Sequence, residues 1–335
     1  MSDEERYSRQ MLIPGWNQEK LEKSTVILVG AGAIGSYVAT ILVSSGIGKL
    51  IIIDFDTIEI SNLNRQLLFR DKDVGKSKSE IAVERLRELN PKCKLEFIHK
   101  KMEEVSLSVY EEADVIISCL DTFIGRRWIN SMAIRVNAPL VMGGMFAFLG
   151  NVQVIKPHET ACFECQPLVP EEELAQACTP FGEERKKDRK EEEEKEPPLP
   201  AVATLSSIIA GFMSQEALKL ILGIGSTLEN YMFYDGLNNA TTIIELTKSD
   251  ECPTCGDLYK LEQIDFIVNS DESFKDVTLR LILTYGLSKP DIMIQGSIID
   301  PEKLIKEVIK DSKAVAYIID KNLAKPIKIV LQIKD

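Results

Sequence analysis

The stretch from Thr25 to Ser45 constrains this chain more than any other: an apolar run, Thr25–Val29, then Gly30-Ala31-Gly32-Ala33-Ile34-Gly35, then a helical pattern over residues 36–45. A buried strand that feeds a glycine turn at the start of a helix opens a βαβ unit. Glycines there let the backbone approach a phosphate at the positive end of the helix. Gly46 and Gly48 break the helix, and residues 50–55 read as the next strand. The alternation continues with a helix over 76–90, ended by Pro91, and strands over 95–98, 115–119 and 140–142. It predicts an α/β fold: a Rossmann-like, largely parallel sheet with helices on both faces.

A chain of 335 residues is long enough for two domains. Residues 201–222 read as a long, mostly buried helix that stops at Gly223. After Cys255 the pattern changes to a helix over 276–285, a strand over 292–294, a helix over 301–310 and strands over 315–319 and 327–333. This predicts two units, 1–260 and a small α+β unit over 261–335. Within the first, residues 166–200 form a crossover loop. It carries fourteen consecutive charges over 183–196, followed by Pro197, Pro198 and Pro200. Such a run buries nothing and reads as a mobile loop or exposed helix.

Composition excludes several classes. A net charge of −12 argues against a nucleic-acid surface. No apolar run is expected to span a membrane, and the charged start MSDEERYSRQ does not read as a signal peptide. Cytoplasmic residence is the expectation. With His99 and His158 as the two histidines, histidine-based triads and metal sites have few members.

Asp54, at the end of the second strand, can accept hydrogen bonds from ribose hydroxyls. On the turn and Asp54 alone, a nicotinamide dehydrogenase fits as well as any other nucleotide enzyme. The segment Ser61-Asn62-Leu63-Asn64-Arg65-Gln66 and Lys78 change that balance. They place amides and fixed cations after the nucleotide-binding strand, where a triphosphate needs neutralising charge. Each alone would read as a solvated surface cation. Val74-Gly75-Lys76-Ser77 imitates the end of a P-loop, but Arg70 stands where that motif needs its first glycine. Asp121 closes the strand at 115–120, on the active edge of an open α/β sheet, where a carboxylate can hold magnesium against phosphate oxygens. It could equally cap the following helix, as could Thr122.

Two C-x-x-C pairs, Cys162/Cys165 and Cys252/Cys255, fit a closed four-thiolate zinc site of structural type. Cys178, in Gln176-Ala177-Cys178-Thr179-Pro180, lies just before the charged run. A thiol there can take an acyl group from an acyl-adenylate as a thioester; its plain alternative is an incidental loop cysteine. Cys93 and Cys119 read as ordinary buried positions.

RYSRQM, GAGAIG, DFDTIEISNLNRQ, VGKSK, SCLDT and the paired C-x-x-C together resemble the ubiquitin-activating enzyme superfamily, which includes the adenylyltransferases of molybdopterin and thiamine synthesis. The resemblance covers nearly the whole chain. It implies that Gly30, Gly32, Ala33 and Gly35 lie against ATP and that Asp54 binds ribose. Asn62, Arg65 and Lys78 would engage the triphosphate, Asp121 would serve magnesium, and Thr122 would join the nucleotide site. Arg9 would reach into a partner subunit's site, which implies a homodimer. Cys178-Thr179 is similar to the Cys-Thr pair of conjugation-type enzymes. The unit over 261–335 resembles their ubiquitin-fold domain, which recruits a conjugating enzyme. Two departures stand out: a short charged loop replaces a full catalytic-cysteine domain, and Thr122 follows Asp121 where many relatives carry Asn.

The leading expectation is therefore an ATP-dependent activating enzyme for a ubiquitin-like protein ending in Gly-Gly. Adenylation would precede thioester formation on Cys178 and transfer to a conjugating enzyme. The alternative is a sulfur-carrier adenylyltransferase that needs no conjugating enzyme. A non-catalytic scaffold and a nicotinamide oxidoreductase stand behind these.

Overall fold

The computed structural model describes residues 3–165, 200–228, 231–250, 252, 254–256, 263–285, 287, 289–320 and 326–334. Its larger sheet has eight strands in the order β3-β2-β1-β4-β5-β6-β7-β8. These are β1 Thr25–Val29, β2 Lys49–Ile53, β3 Lys94–Ile98, β4 Val115–Ser118, β5 Leu140–Phe146, β6 Leu149–Ile155, β7 Tyr231–Asp235 and β8 Ala240–Ile244. The first five are mutually parallel; β6, β7 and β8 add on antiparallel. The expected largely parallel sheet is thus present, with an antiparallel wing.

Helices cover both faces. In chain order they are α1 Asp3–Tyr7, α2 Gln18–Glu22, α3 Ala33–Ser45, α4 Lys78–Leu89, α5 Leu107–Tyr110, α6 Phe123–Val136 and α7 Ala203–Leu222. Period-two alternation along β1 and β2 splits the core. Val26, Leu28, Leu50 and Ile52 join α3, α4 and α7 on one face. Ile27, Val29, Ile51 and Ile53 join α5, α6 and the four paired cysteines on the other. Strands buried on both faces are apolar throughout, which is why Thr-Val-Ile-Leu-Val shows no polar alternation.

Helix boundaries follow local chemistry. Ser77 caps α4, its hydroxyl accepting from the Glu80 amide at 3.4 Å. Gly46, at φ +86°, closes α3 by donating to Leu42 and Val43 carbonyls. Ser-, Gln- and Glu-containing α7 is, among the described residues, the one helix long and apolar enough to cross a membrane, which corrects the expectation that no such run exists. It packs against α3, β5 and β6 as a core helix.

Residues 264–334 form a second sheet, in the order β11-β10-β12-β13-β9. Its strands are β9 Ile264–Asn269, β10 Asp291–Ile294, β11 Ser297–Ile298, β12 Lys313–Ile319 and β13 Ile327–Lys334. First and last strands pair parallel, and the helix Phe274–Tyr285 supplies Phe274, Val277 and Leu281 to its own core. The helix expected over 301–310 is shorter, Ile305–Val308. Leu304 is drawn into extended backbone by a bridge to Ser273, so helical geometry starts only after it.

Candidate active site

Glycines of the first turn divide their tasks. Gly30 sits at φ +92° just past β1, and its amide donates to Ile53 O at 2.9 Å. A Cβ on Gly35 would collide with the Gly30 carbonyl, so that position must stay bare for α3 to pack. Gly32 is different: a Cβ there would meet only Gln66 Nε2, at an ordinary 3.7 Å. Gly32 and Ala33 are partly exposed at the start of α3. That leaves open backbone facing a helix N-terminus, where a phosphate fits.

Asp54 is buried immediately after β2. Its Oδ2 accepts from the Ala31 amide at 2.6 Å and its Oδ1 from the Asp56 amide at 2.8 Å. Burial pushes its carboxyl above the usual range, against those two N–H groups and the charge of Lys78. Each oxygen keeps a lone pair for a further donor. Lys78, at the start of α4, is buried with Nζ 2.9 Å from Asp56 Oδ2. Asp56 therefore holds the lysine at the sheet edge.

Asn62 is buried, and its Oδ1 accepts from the Glu59 amide at 3.0 Å. Arg65 is half-buried, its Nη1 donating to Ser61 O at 2.7 Å and Asn64 Oδ1 at 2.9 Å. The guanidinium thus lies folded against its own loop. Asp121 stands three residues beyond the end of β4 rather than at the strand's last position. Thr122 takes the cap, accepting from Gly125 N at 3.3 Å. Asp121 is left exposed and free to bind a cation.

Gly30, Gly32, Ala33, Gly35, Asp54, Asn62, Lys78, Asp121 and Thr122 thus come from the carboxyl ends of β1, β2 and β4 and the loops that follow them. β1 and β4 are neighbours whose connections leave in opposite directions, the switch point where open α/β sheets bind ligands. Arg9 does not join them. It precedes a turn whose Gln10 donates to Ser45 O at 2.7 Å, at the far end of α3. The 13 residues of α3 set that point about 20 Å from the glycine turn. An arginine there cannot serve its own subunit's site. Cys178 lies outside the described residues.

The four paired cysteines do converge. Their sulfurs all lie within 4.8 Å of one another, with Cys162–Cys252 at 3.5 Å, Cys165–Cys255 at 3.4 Å and Cys162–Cys165 at 3.8 Å. Zinc–sulfur bonds of ~2.3 Å in a tetrahedron place sulfurs about 3.8 Å apart. The cluster fits a metal ion, and all four cysteines are buried. Cys93 is buried as expected, its thiol pushed up to about 12 by desolvation, while Cys119 is half-buried.

Three residues near the site escaped the sequence reading. Asp56 repeats the acidic residue two places after Asp54, which is a readable signal. His99 Nδ1 lies 3.0 Å from Ser77 Oγ and 3.3 Å from Asp54 O, beside the lysine helix. Arg126 is buried within the first turn of α6, and nothing in its spacing marks it.

The model of the ThiF family matches residues 7–254. The chain belongs to the ThiF family. That places it within the superfamily of ubiquitin-like-protein activating enzymes and their bacterial adenylyltransferase relatives. It is 31% identical over 265 residues to a sulfur carrier protein adenylyltransferase of Thermus thermophilus, covering 76% of this chain and 91% of that protein. It is 28% identical to the NEDD8-activating enzyme E1 catalytic subunit of Caenorhabditis elegans, covering 85% of this chain and 81% of that one. Among solved structures, Escherichia coli MccB with MccA-N7isoASN matches at TM-score 0.63 and 26% identity, over 76% of this chain and 75% of that chain. The small unit over 264–334 lies beyond the family-matched residues.

Proposed function

We propose that this protein is an adenylyltransferase that uses ATP to activate the C-terminal carboxylate of a small carrier protein ending in Gly-Gly. The observation that carries the reading is the convergence on one sheet edge of an open glycine turn, a lysine held by Asp56, an arginine on the loop after β2 and an exposed Asp121 that leaves the helix cap to Thr122. A dehydrogenase has no use for that cationic set; a triphosphate does.

One carboxylate oxygen attacks the α-phosphorus. An acyl–O–P bond forms, the bond from the α-phosphorus to the bridging oxygen breaks, and pyrophosphate leaves with the electron pair. The Gly32 backbone receives phosphate oxygens at the start of α3, and Asp54 accepts from the ribose. Lys78 and Arg65 neutralise the departing pyrophosphate. Asp121 would hold magnesium, which when bound would offset phosphate charge. Zinc in the four-cysteine cluster is structural, because four thiolates leave no open position.

The Thermus relative favours a sulfur carrier as the substrate, with the adenylate consumed by a sulfur donor. The sequence reading put transfer through Cys178 to a conjugating enzyme first. A specific observation still supports that second reading: the α+β unit over 264–334, beyond the family-matched residues, is an added element that sulfur transfer does not need. Residence in the cytoplasm and a homodimer complete the proposal.

The test is ATP–pyrophosphate exchange with candidate Gly-Gly carriers. Wild type is expected to exchange label only with a carrier present. Asp121→Ala is expected to lose at least about a hundredfold, in line with the several kcal/mol a metal supplies. Exchange undiminished in Asp121→Ala, or none with any carrier, would overturn the reading.

A further inference from the structure

Arg126 carries a charge that the described residues leave uncompensated. It is 5% exposed, in the first turn of α6. Nε donates to Leu120 O at 3.0 Å and Nη2 to Gly143 O at 2.9 Å. Among the described residues no carboxylate pairs with it, and Nη1 has no hydrogen-bond partner. Two carbonyl dipoles do not balance a buried guanidinium, which normally demands an anion. The guanidinium lies over Gly144, where a Cβ would collide with Nη2. Gly144 thus makes room for it, whereas the bare Gly143 accommodates Met213.

Its surroundings are polar and unsatisfied. Met142 stands two residues before Gly144 on β5, so both point to the same face. Met142 pairs with Ser118 on β4 and Gln153 on β6. Ser118 Oγ and Gln153 Nε2 are buried without partners, as is Asn130 Nδ2 on the covering helix α6. Native interiors rarely leave such a group of polar atoms unpaired unless water or a ligand completes them. Leu120, whose carbonyl Arg126 holds, is the residue before Asp121. In sheet order the glycine turn occupies the β1 side of this edge, and Arg126 the β4–β5 side.

We propose that Arg126 seats the attacking carboxylate of the carrier's Gly-Gly tail, on the β4–β5 side of the nucleotide. This rests on the adenylyltransferase reading and assigns the second substrate a residue within it. One carboxylate oxygen accepts from Nη1 while the other stays free to attack phosphorus. Once the acyl-phosphate forms, the carboxylate charge is gone, so Arg126 holds the nucleophile and releases the adenylate more readily.

The probe is a fluorescent peptide ending in Gly-Gly, as the free acid and as the C-terminal amide, titrated with a non-hydrolysable ATP analogue present. Wild type is expected to bind the acid about tenfold more tightly than the amide, the worth of one charge-assisted contact. Arg126→Lys is expected to erase that preference while analogue affinity stays within about twofold. Gly144→Ala, which displaces the guanidinium without removing it, should erase it too. A preference that survives both variants, or is absent in wild type that exchanges pyrophosphate, overturns the seat and leaves the adenylyltransferase reading standing. Loss of analogue affinity with the preference intact would assign Arg126 to a nucleotide phosphate and overturn it equally. Absence of carrier-dependent exchange in wild type would strike the broader reading itself. Thermal melting of each variant separates a lost seat from a lost fold; if Arg126→Lys unfolds, Gly144→Ala alone decides.

Discussion

Gly32 and Gly35 stand three residues apart and have different tasks. A side chain at Gly35 would strike the Gly30 carbonyl, whereas one at Gly32 would meet only the tip of Gln66. Gly35→Ala should therefore lower stability by about 1–3 kcal/mol, the usual range for overpacking. Gly32→Ala should leave stability within about 0.5 kcal/mol, as for a surface change. It should weaken ATP binding about tenfold, because the added methyl stands where a phosphate approaches. Denaturant melts and nucleotide titration of both variants check the pair; equal effects on stability would mean that Gly32 is structural. At this scale the site was mostly legible. Glycine spacing, Asp54, Lys78 and Asp121 read directly, because each lies at a fixed offset from a strand end. Arg126 did not, since its importance comes from a burial that only the packing of α6 over Gly144 creates. The capping ambiguity at Asp121 also needed coordinates: Thr122 bonds Gly125, and that alone frees Asp121.

At the scale of elements, α6 links the two chemical centres. Its first turn holds Leu120 and Gly143 through Arg126 and follows Asp121. Further along, Arg127 Nε pairs with Glu164 Oε1 at 2.8 Å, and Asn130 Oδ1 accepts from Phe163 N at 3.1 Å. Glu164 and Phe163 are the two residues between Cys162 and Cys165. The cysteine knuckle is thereby fastened to the helix that positions the active edge. Cys252→Ser should release the metal, seen by elemental analysis, and lower thermal stability. Loss of a closed thiolate site removes folding free energy outright. Protein purified without chelators that holds no zinc would refute the assignment. Strands β1, β2 and β5 were legible because each holds an apolar run bordered by a glycine or proline, Gly30, Gly48 and Pro139. Strands β6, β7, β8, β9 and the two-residue β11 are not apparent in the sequence. β6 carries Gly150, Asn151 and Gln153, and β8 is exposed along its whole length, so neither shows a clean apolar period. The helix expected over 301–310 failed for another reason: a tertiary bridge at Leu304 overrides local propensity.

At the scale of the whole molecule, two questions concern what lies beyond one sheet edge. Arg9 lies about 20 Å from its own glycine turn, so the role proposed for it requires a second copy. Mixing Arg9→Ala with Asp121→Ala subunits should restore part of the exchange activity, because one site of each hybrid is intact. Hybrids that form without recovery would remove Arg9 from the chemistry. The other question is where the adenylate goes. An acyl-adenylate is an anhydride with a good leaving group, so a nearby thiolate captures it. Cys178 is the thiol the sequence offers for that step, and the unit over 264–334 has a core of its own, from Ile264 to Leu331, separate from the two cores of the larger sheet. Removing residues 261–335 should therefore leave adenylation intact. In the conjugation branch, Cys178→Ala keeps pyrophosphate exchange but loses a thiol-sensitive carrier adduct on a non-reducing gel. The truncated protein keeps the adduct but does not charge a conjugating enzyme. In the sulfur-carrier branch neither change matters: wild type forms no stable adduct, and carrier thiocarboxylate accumulates when a sulfur donor is supplied. An adduct that persists in Cys178→Ala would assign the acceptor role to another cysteine. Cys119, half-buried beside Leu120 with its thiol held protonated by desolvation, is poorly suited to take it.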